Sequence, residues 1–516
     1  MITSDIFLPD WLTRCAENCP QHLAVQCDQL QWSYAELDHQ ATRLARQLAT
    51  LGVQEGNRVA LLAANGLPYV AIVHALTRLG AILVPLNLRL NLQELGWQLR
   101  DTHASLLVCD ADSANLAHEI GQALPQLSTG TLATISYKGE AVISELPEKD
   151  VPLRTLIDLS APQAIMYTSG TSGQPKGAII TYGMQWWNAI GSALNLGHNP
   201  DDRWLACLPL YHISGLSILM RSVIYGTSVM VHKKFDPMLI NRAIFEDHIT
   251  IISVVAVMLQ RMLDALNTTS RGGRVSGGAS YPATLRCVLL GGGPSPYNLL
   301  EACMRCAIPV VQTYGLTEAC SQAVTLSPAD AMRKIGSAGR PLAPVQLRIL
   351  HDHKPTSPGE PGEIFLKGPT ITPGYAQSPQ TTAQAFQDGW FATGDIGYLD
   401  HEGYLYVLDR RADLIISGGE NVYPAEIESV LQSHPAVENA GVCGQADMHW
   451  GQVPIAFVVI KPDSTVTAEE LLSYTAQKMA RYKQPRAIYF TKQLPHTSSG
   501  KLIRRKLPRL LQSLRN

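Results

Sequence analysis

Apolar residues in this chain fall into short runs separated by segments of helical length. From about residue 30 to 330, runs such as Arg58 to Ala63, Leu106 to Cys109, Leu285 to Leu290 and Pro309 to Gln312 have the length of buried strands, and their alternation with longer segments predicts parallel α/β layers. The runs Leu285 to Leu290 and Val310-Val311-Gln312 flank the turn Gly291-Gly292-Gly293-Pro294 and an expected helix from Ser295 to Cys306. That βαβ unit places its loop at a strand's carboxyl end, where open sheets bind ligands. Asn267 to Ser280, rich in Ser, Thr and Gly without periodicity, reads as a surface loop.

Beyond Ile335 the pattern shortens to alternating strands and Gly/Pro turns, at Gln346 to Leu350, Gly362 to Lys367, Trp390 to Asp395 and Gly403 to Leu408. A β-rich subdomain is expected there. The polar run Asp409-Arg410-Arg411-Ala412-Asp413 then gives way to Leu414-Ile415-Ile416 and the turn Ser417-Gly418-Gly419. This is the expected boundary between a large domain, 1–410, and a small one, 411–516. In the latter, Pro424 opens a helix expected to carry Glu426 and Glu428 in its first turn, where acids suit the helix dipole. The fold class expected is α/β: a large N-terminal domain of layered α/β sheets with a β-rich subdomain, plus a small α+β C-terminal domain.

Composition narrows the class of protein. The 516 residues exceed what one core holds, and 46% hydrophobic against 16% charged residues fits packed globular domains. A net charge of -2 offers no field for nucleic acid. The basic residues near the end, Arg504, Arg505, Lys506, Arg509 and Arg515, read as a solvated helix face. No basic stretch followed by an apolar core opens the sequence, and the most apolar run, Ile249 to Leu259, is short of the ~20 residues a membrane span needs. Cytoplasmic residence is expected. Ten cysteines are scattered, with Cys15/Cys19 and Cys303/Cys306 the close pairs; the second could be half a zinc site, but reduced thiols are the expectation.

The chemistry concentrates in a few loops. Ala164-Ile165-Met166-Tyr167 reads as a buried strand and Gly177-Ala178-Ile179-Ile180 resumes an apolar run; between them lie Thr168, Ser169, Gly170, Thr171, Ser172, Gly173, Gln174, Pro175 and Lys176. Glycines allow close backbone approach to phosphate, hydroxyls donate hydrogen bonds and Lys176 adds charge, so this loop suits a triphosphate. The spacing fails as a Walker A loop, since Pro175 stands where Gly is required and Gly177 follows the lysine. A flexible Ser/Gly linker is the alternative.

Thr313-Tyr314-Gly315-Leu316-Thr317-Glu318 puts a ring and a carboxylate at a strand end, for a purine and magnesium or for packing and capping. Asp395, after Thr393-Gly394, can accept from ribose hydroxyls, and Arg410 can neutralise phosphate. Lys501, after Ser498-Ser499-Gly500, is a second presented lysine or a solvated turn.

In this order, these segments resemble the adenylate-forming superfamily of acyl-CoA synthetases, over nearly the whole chain. The resemblance implies that a carboxylate attacks the α-phosphate of ATP, with Mg2+ at Glu318, and that CoA then displaces AMP after the small domain rotates. It assigns Thr168 to Gly173 with Lys176 to phosphate, Gly291, Gly292, Tyr314, Thr317, Asp395 and Arg410 to the nucleotide, and Lys501 to catalysis of adenylation. Ala412 falls at the hinge, where Asp or Lys is usual, and Gly418 and Gly419 on the loop that faces CoA.

The segment Leu208 to Val223, with Leu289 to Pro294 and Val311 to Gln322, resembles in particular the o-succinylbenzoate ligases of this family. That resemblance implies His212 as a gate for the reacting carboxylate, a buried structural histidine being the alternative, and Ser214, Arg221 and Gly292 near the acid; Arg221 is a candidate cation for the second, aromatic carboxylate or a helix arginine snorkelling to solvent. A ligase for another aryl or medium-chain acid, and a nucleotide-binding module without catalysis, are the alternatives. The partners expected are small molecules only: the acid, ATP and CoA. Assembly state is left open, with a homodimer or larger oligomer among the options.

Overall fold

The computed structural model describes residues 6–124, 132–137, 141–143, 146–168, 175–271, 280–292, 297–409, 415–422, 424–462, 464–495, 502 and 504–515. Four main sheets organise them. One has the strand order Lys176–Thr181, Pro162–Thr168, Ile82–Pro85, Arg58–Leu62, Leu106–Asp110, Leu132–Tyr137, Ala141–Ile143. Its centre is parallel and buried on both faces: four of the five residues of Arg58–Leu62 are fully buried, as a strand sandwiched between helices requires.

The second sheet runs Arg340–Pro341, Ser321–Thr325, Val310–Leu316, Cys287–Leu290, Ile251–Val254, Arg203–Ala206, Ser228–Val231, Leu23–Cys27, Leu30–Ser33. Parallel pairing holds from Val310–Leu316 to Leu23–Cys27, so the expected α/β layering is present. The edges depart from it. Pro162–Thr168 with Lys176–Thr181, Val310–Leu316 with Ser321–Thr325, and Leu23–Cys27 with Leu30–Ser33 are antiparallel, because each pair is joined too briefly for a helical crossover.

The expected β-rich subdomain is a third sheet, antiparallel, built on Gln346–His351, Gly362–Lys367, Trp390–Leu399 and Leu405–Asp409. A fourth sheet carries Glu420–Val422, Ile415–Ser417, Gly451–Ile460, Val437–Asp447 and Ala487–Phe490, with the helices Pro424–Gln432 and Ala468–Lys478 and its own apolar cluster around Ile427, Val442 and Leu471. A large N-terminal domain and a smaller C-terminal one result.

Three local expectations are corrected. The helix Ala256–Arg271 runs on into the segment read as a loop, since its apolar positions Leu259, Met262, Leu263 and Leu266 hold it against the core. Glu428 lies beyond the first turn of Pro424–Gln432; its carboxylate accepts from the Val442 amide (2.8 Å) and pairs with Arg504 (2.5 Å). Arg504 therefore faces the body of the lobe rather than solvent. All ten cysteines are unbridged, Cys303 being buried on the helix Tyr297–Arg305.

Candidate active site

The loops at the carboxyl ends of both large sheets converge on one cavity of about 1060 Å³. Thr168 and Lys176 stand opposite each other as the last pair before the connecting loop of an antiparallel hairpin, so strand pairing alone sets them face to face at the cavity wall. The Lys176 ammonium lies 5.4 Å above the ring of Tyr375, whose hydroxyl donates to Glu318 Oε1 at 2.8 Å. Thr168 Oγ1 is 3.5 Å from that same oxygen. Tyr375 thus ties the hairpin to the carboxylate, a role that no spacing in the sequence reveals.

Glu318 sits in the 3₁₀ turn Thr317–Ala319 after the strand Val310–Leu316. A Cβ on Gly315 would lie 1.5 Å from the Ser321 carbonyl oxygen, so only glycine lets this strand fold back so closely. Tyr314 packs into the core of the β-rich subdomain, and its hydroxyl donates to Asp395 Oδ2 at 2.6 Å. The Asp395 amide is held by Thr393 Oγ1 (3.0 Å), which itself donates to the Ile364 carbonyl. Asp395 is thereby fixed from two sides at the cavity wall.

Among the described residues no three His, Cys, Asp or Glu side chains form a metal-binding group. Glu318 alone suits magnesium, which keeps waters and substrate phosphate oxygens and takes as little as one carboxylate from protein.

Asn65 fixes the approach to the helix Ile213–Tyr225: its amide donates to the carbonyls of Leu208 (2.9 Å) and His232 (3.1 Å) and accepts from the Leu210 amide (2.9 Å). His212 is the residue before that helix, its ring edge-on to Tyr211. Ser214 lines the cavity.

Arg221 does not reach solvent, being 2% exposed in the cavity wall. One of its terminal nitrogens donates to Asn188 Oδ1 at 2.5 Å, its guanidinium lies 5.3 Å from the Trp204 ring centre, and its Nε has no partner. Among the described residues no carboxylate lies within ion-pairing distance of it. Burial lowers its pKa from the ordinary arginine value. Asn188 in turn donates to the Gln322 carbonyl (2.7 Å), and the Gln322 side-chain amide, 1% exposed and also in the wall, has neither oxygen nor nitrogen partnered. What marks Gln322 is this unpartnered buried amide, visible only in three dimensions.

Gly291 and Gly292 line the cavity beyond Cys287–Leu290; Gly292 has φ +82° and passes Val255 so closely that a Cβ would come within 2.9 Å of its side chain. From the C-terminal lobe, the turn Gly418-Gly419 (φ +60° and +83°) enters the same cavity, with Trp450 covering Gly418. Next to it Glu420, 4% exposed, meets Arg89 at 3.1 Å and His212 Nε2 at 3.3 Å, both from the large domain. Burial opposes ionisation of Glu420, but His212, Arg89 and Lys483 outweigh it and hold the carboxyl below its ordinary range. Ser169, Gly170, Thr171, Ser172, Gly173, Arg410, Ala412 and Lys501 lie outside the described residues.

A two-lobed fold with a nucleotide-sized cavity between its lobes defines a class of adenylate-forming enzyme, and comparison agrees: residues 12–376 match the AMP-binding enzyme family and 426–501 the AMP-binding enzyme C-terminal domain. The chain belongs to that family. It is 50% identical to 2-succinylbenzoate--CoA ligase of Geobacillus kaustophilus, over 98% of both chains. It is also similar to o-succinylbenzoate CoA synthetase of Bacillus subtilis. A double mutant of that enzyme bound to the product analogue OSB-NCoA superposes with TM-score 0.88 at 41% identity, covering 97% of this chain and 98% of that one. The same enzyme with the acyl-adenylate OSB-AMP gives 0.73 at the same identity and coverage.

Proposed function

We propose that this chain is an o-succinylbenzoate:CoA ligase, forming an acyl-adenylate from ATP and then the CoA thioester, in naphthoquinone biosynthesis. Residues 1–410 and 411–516 act as its large and lid domains. Thr168 to Gly173 and Lys176 embrace the phosphates, and Arg410 adds a cation. Asp395, pinned by Tyr314, takes the ribose. Glu318 would hold the magnesium ion, which when bound offsets phosphate charge. Lys501 aligns the α-phosphate with the attacking carboxylate. Gly418 and Gly419 flank the path of the CoA thiol, and Ala412 marks the hinge about which the lid turns. Ten unbridged cysteines accord with a reducing, cytoplasmic setting, and no described helix is long and apolar enough to cross a membrane.

The observation that carries the choice of acid is Arg221. A buried guanidinium without a carboxylate partner among the described residues, beside the unpartnered amide of Gln322, is a costly arrangement for a monocarboxylic substrate. It suits a second carboxylate that remains ionised after the first has been activated.

The test compares o-succinylbenzoate with 4-oxo-4-phenylbutanoate, which keeps the reacting chain and lacks the aromatic carboxylate, within a panel of aryl and medium-chain acids assayed for pyrophosphate release and CoA thioester. The dicarboxylate is expected to win by roughly a hundredfold or more in kcat/KM, as a site built for a polar group discriminates against its absence. Comparable turnover of the monocarboxylate would favour a broader aryl ligase.

A further inference from the structure

The two lobes are joined by a buried ionic contact distant from the reacting atoms. Lys483 of the C-terminal lobe, 4% exposed, donates to Glu426 Oε1 of its own lobe (2.7 Å) and to Glu94 Oε1 of the large domain (2.9 Å). Glu94 Oε2 accepts two further bonds, from the Ala480 amide of the C-terminal lobe (2.8 Å) and from the Asn91 amide (3.0 Å), the latter closing the capping box of the helix Leu92–Asp101. Both oxygens of Glu94 are thus committed, one to an ammonium and one to a pair of amides. Lys483 and Glu426 travel together on one lobe. When the lobes part, Glu94 loses both its Lys483 and its Ala480 partner, while Lys483 keeps Glu426.

We propose that Glu94 is a positioning residue for thioester formation: its bond to Lys483 latches the C-terminal lobe in the orientation that brings Gly418-Gly419 to the cavity, and it takes no part in adenylation. The orientation described is the one in which these glycines line the cavity and Glu420 meets His212 and Arg89. Breaking the latch costs the docked orientation a buried, hydrogen-bonded charge pair, while the undocked lobe keeps its own Lys483–Glu426 pair and lets Glu94 return to water. The effect therefore falls on the population of one orientation, not on the chemistry of either step.

Glu94→Gln tests this with little disturbance. Glutamine at the third position still serves a capping box, so the helix Leu92–Asp101 keeps its start. It offers one acceptor where the docked lobe demands two, and turns an N–H donor toward either the ammonium or the amides. The inference rests on the two-step reading above, so the half-reactions are measured apart: pyrophosphate release without CoA, and a single turnover of preformed acyl-adenylate with CoA.

For Glu94→Gln, adenylation within about twofold of wild type and thioester formation slowed by roughly tenfold are expected, with Glu94→Lys slower still. A normal adenylation rate certifies that the variant is folded. Equal loss in both half-reactions, or no loss in either, overturns the latch. Failure of the wild-type chain to form acyl-adenylate would instead overturn the reading beneath it.

Discussion

Glu420 Oε2 lies 3.3 Å from His212 Nε2, a carboxylate of the C-terminal lobe against an imidazole of the acid pocket. This contact gives lobe docking an acid limit. Docking depresses the Glu420 carboxyl below its ordinary value of 4.5, so on acidification the undocked form takes up a proton first. By linkage, the part of the docked orientation's advantage that Glu420 supplies is lost progressively as pH falls from the ordinary carboxyl value toward the depressed one. Small-angle scattering across that range is expected to show the compact fraction falling on the acid side, and Glu420→Gln to flatten that dependence. An unchanged profile in the variant would assign the acid sensitivity to other groups.

Arg221 is proposed to serve the acid and not the nucleotide. Its guanidinium contacts Asn188 and Trp204 and borders the cavity. Hydrogen bonds to charged groups contribute about 1.5–3 kcal/mol. Arg221→Ala is therefore expected to raise KM for o-succinylbenzoate by roughly tenfold or more and to leave KM for ATP nearly unchanged. Equal rises in both would mean that the arginine supports the fold of the helix Ile213–Tyr225 and nothing more specific.

How far the sequence discloses this site depends on whether a feature is local. Strand runs such as Arg58–Leu62 and the glycine turns at Gly292 and Gly418 were legible because burial on both faces and left-handed backbone each impose a residue type on a short stretch. Thr168, Glu318 and Asp395 were legible as members of motifs. Tyr375, Asn65 and Glu94 were not. Each works by reaching a partner far along the chain, Glu94 meeting Lys483 across 389 positions, and nothing near it in sequence marks the pairing. The loop expected from Asn267 overlaps the end of the helix Ala256–Arg271 for a related reason: that end is polar, and the helix's length follows from packing of its earlier turns.

Two substitutions on opposite sides of the catalytic cycle separate adenylation from thiol transfer. Lys501 is proposed to act on the α-phosphate, where charge develops as the acid attacks; Lys501→Ala is expected to lower adenylation by about a hundredfold or more, in the range lost with one electrostatic donor, while turnover of preformed acyl-adenylate with CoA stays near wild type. Gly418→Ala should act in reverse. Its φ of +60° is unfavourable for alanine, and the added Cβ would come within 2.5 Å of the Trp450 ring. The turn must then shift where it enters the cavity, at a cost of about 1 kcal/mol or more carried by the docked lobe. Thiol transfer is expected to fall by roughly tenfold or more with adenylation little changed. Were both variants to depress the same half-reaction, the lobe that carries them would be serving a single step, and the alternation proposed for this chain would be wrong.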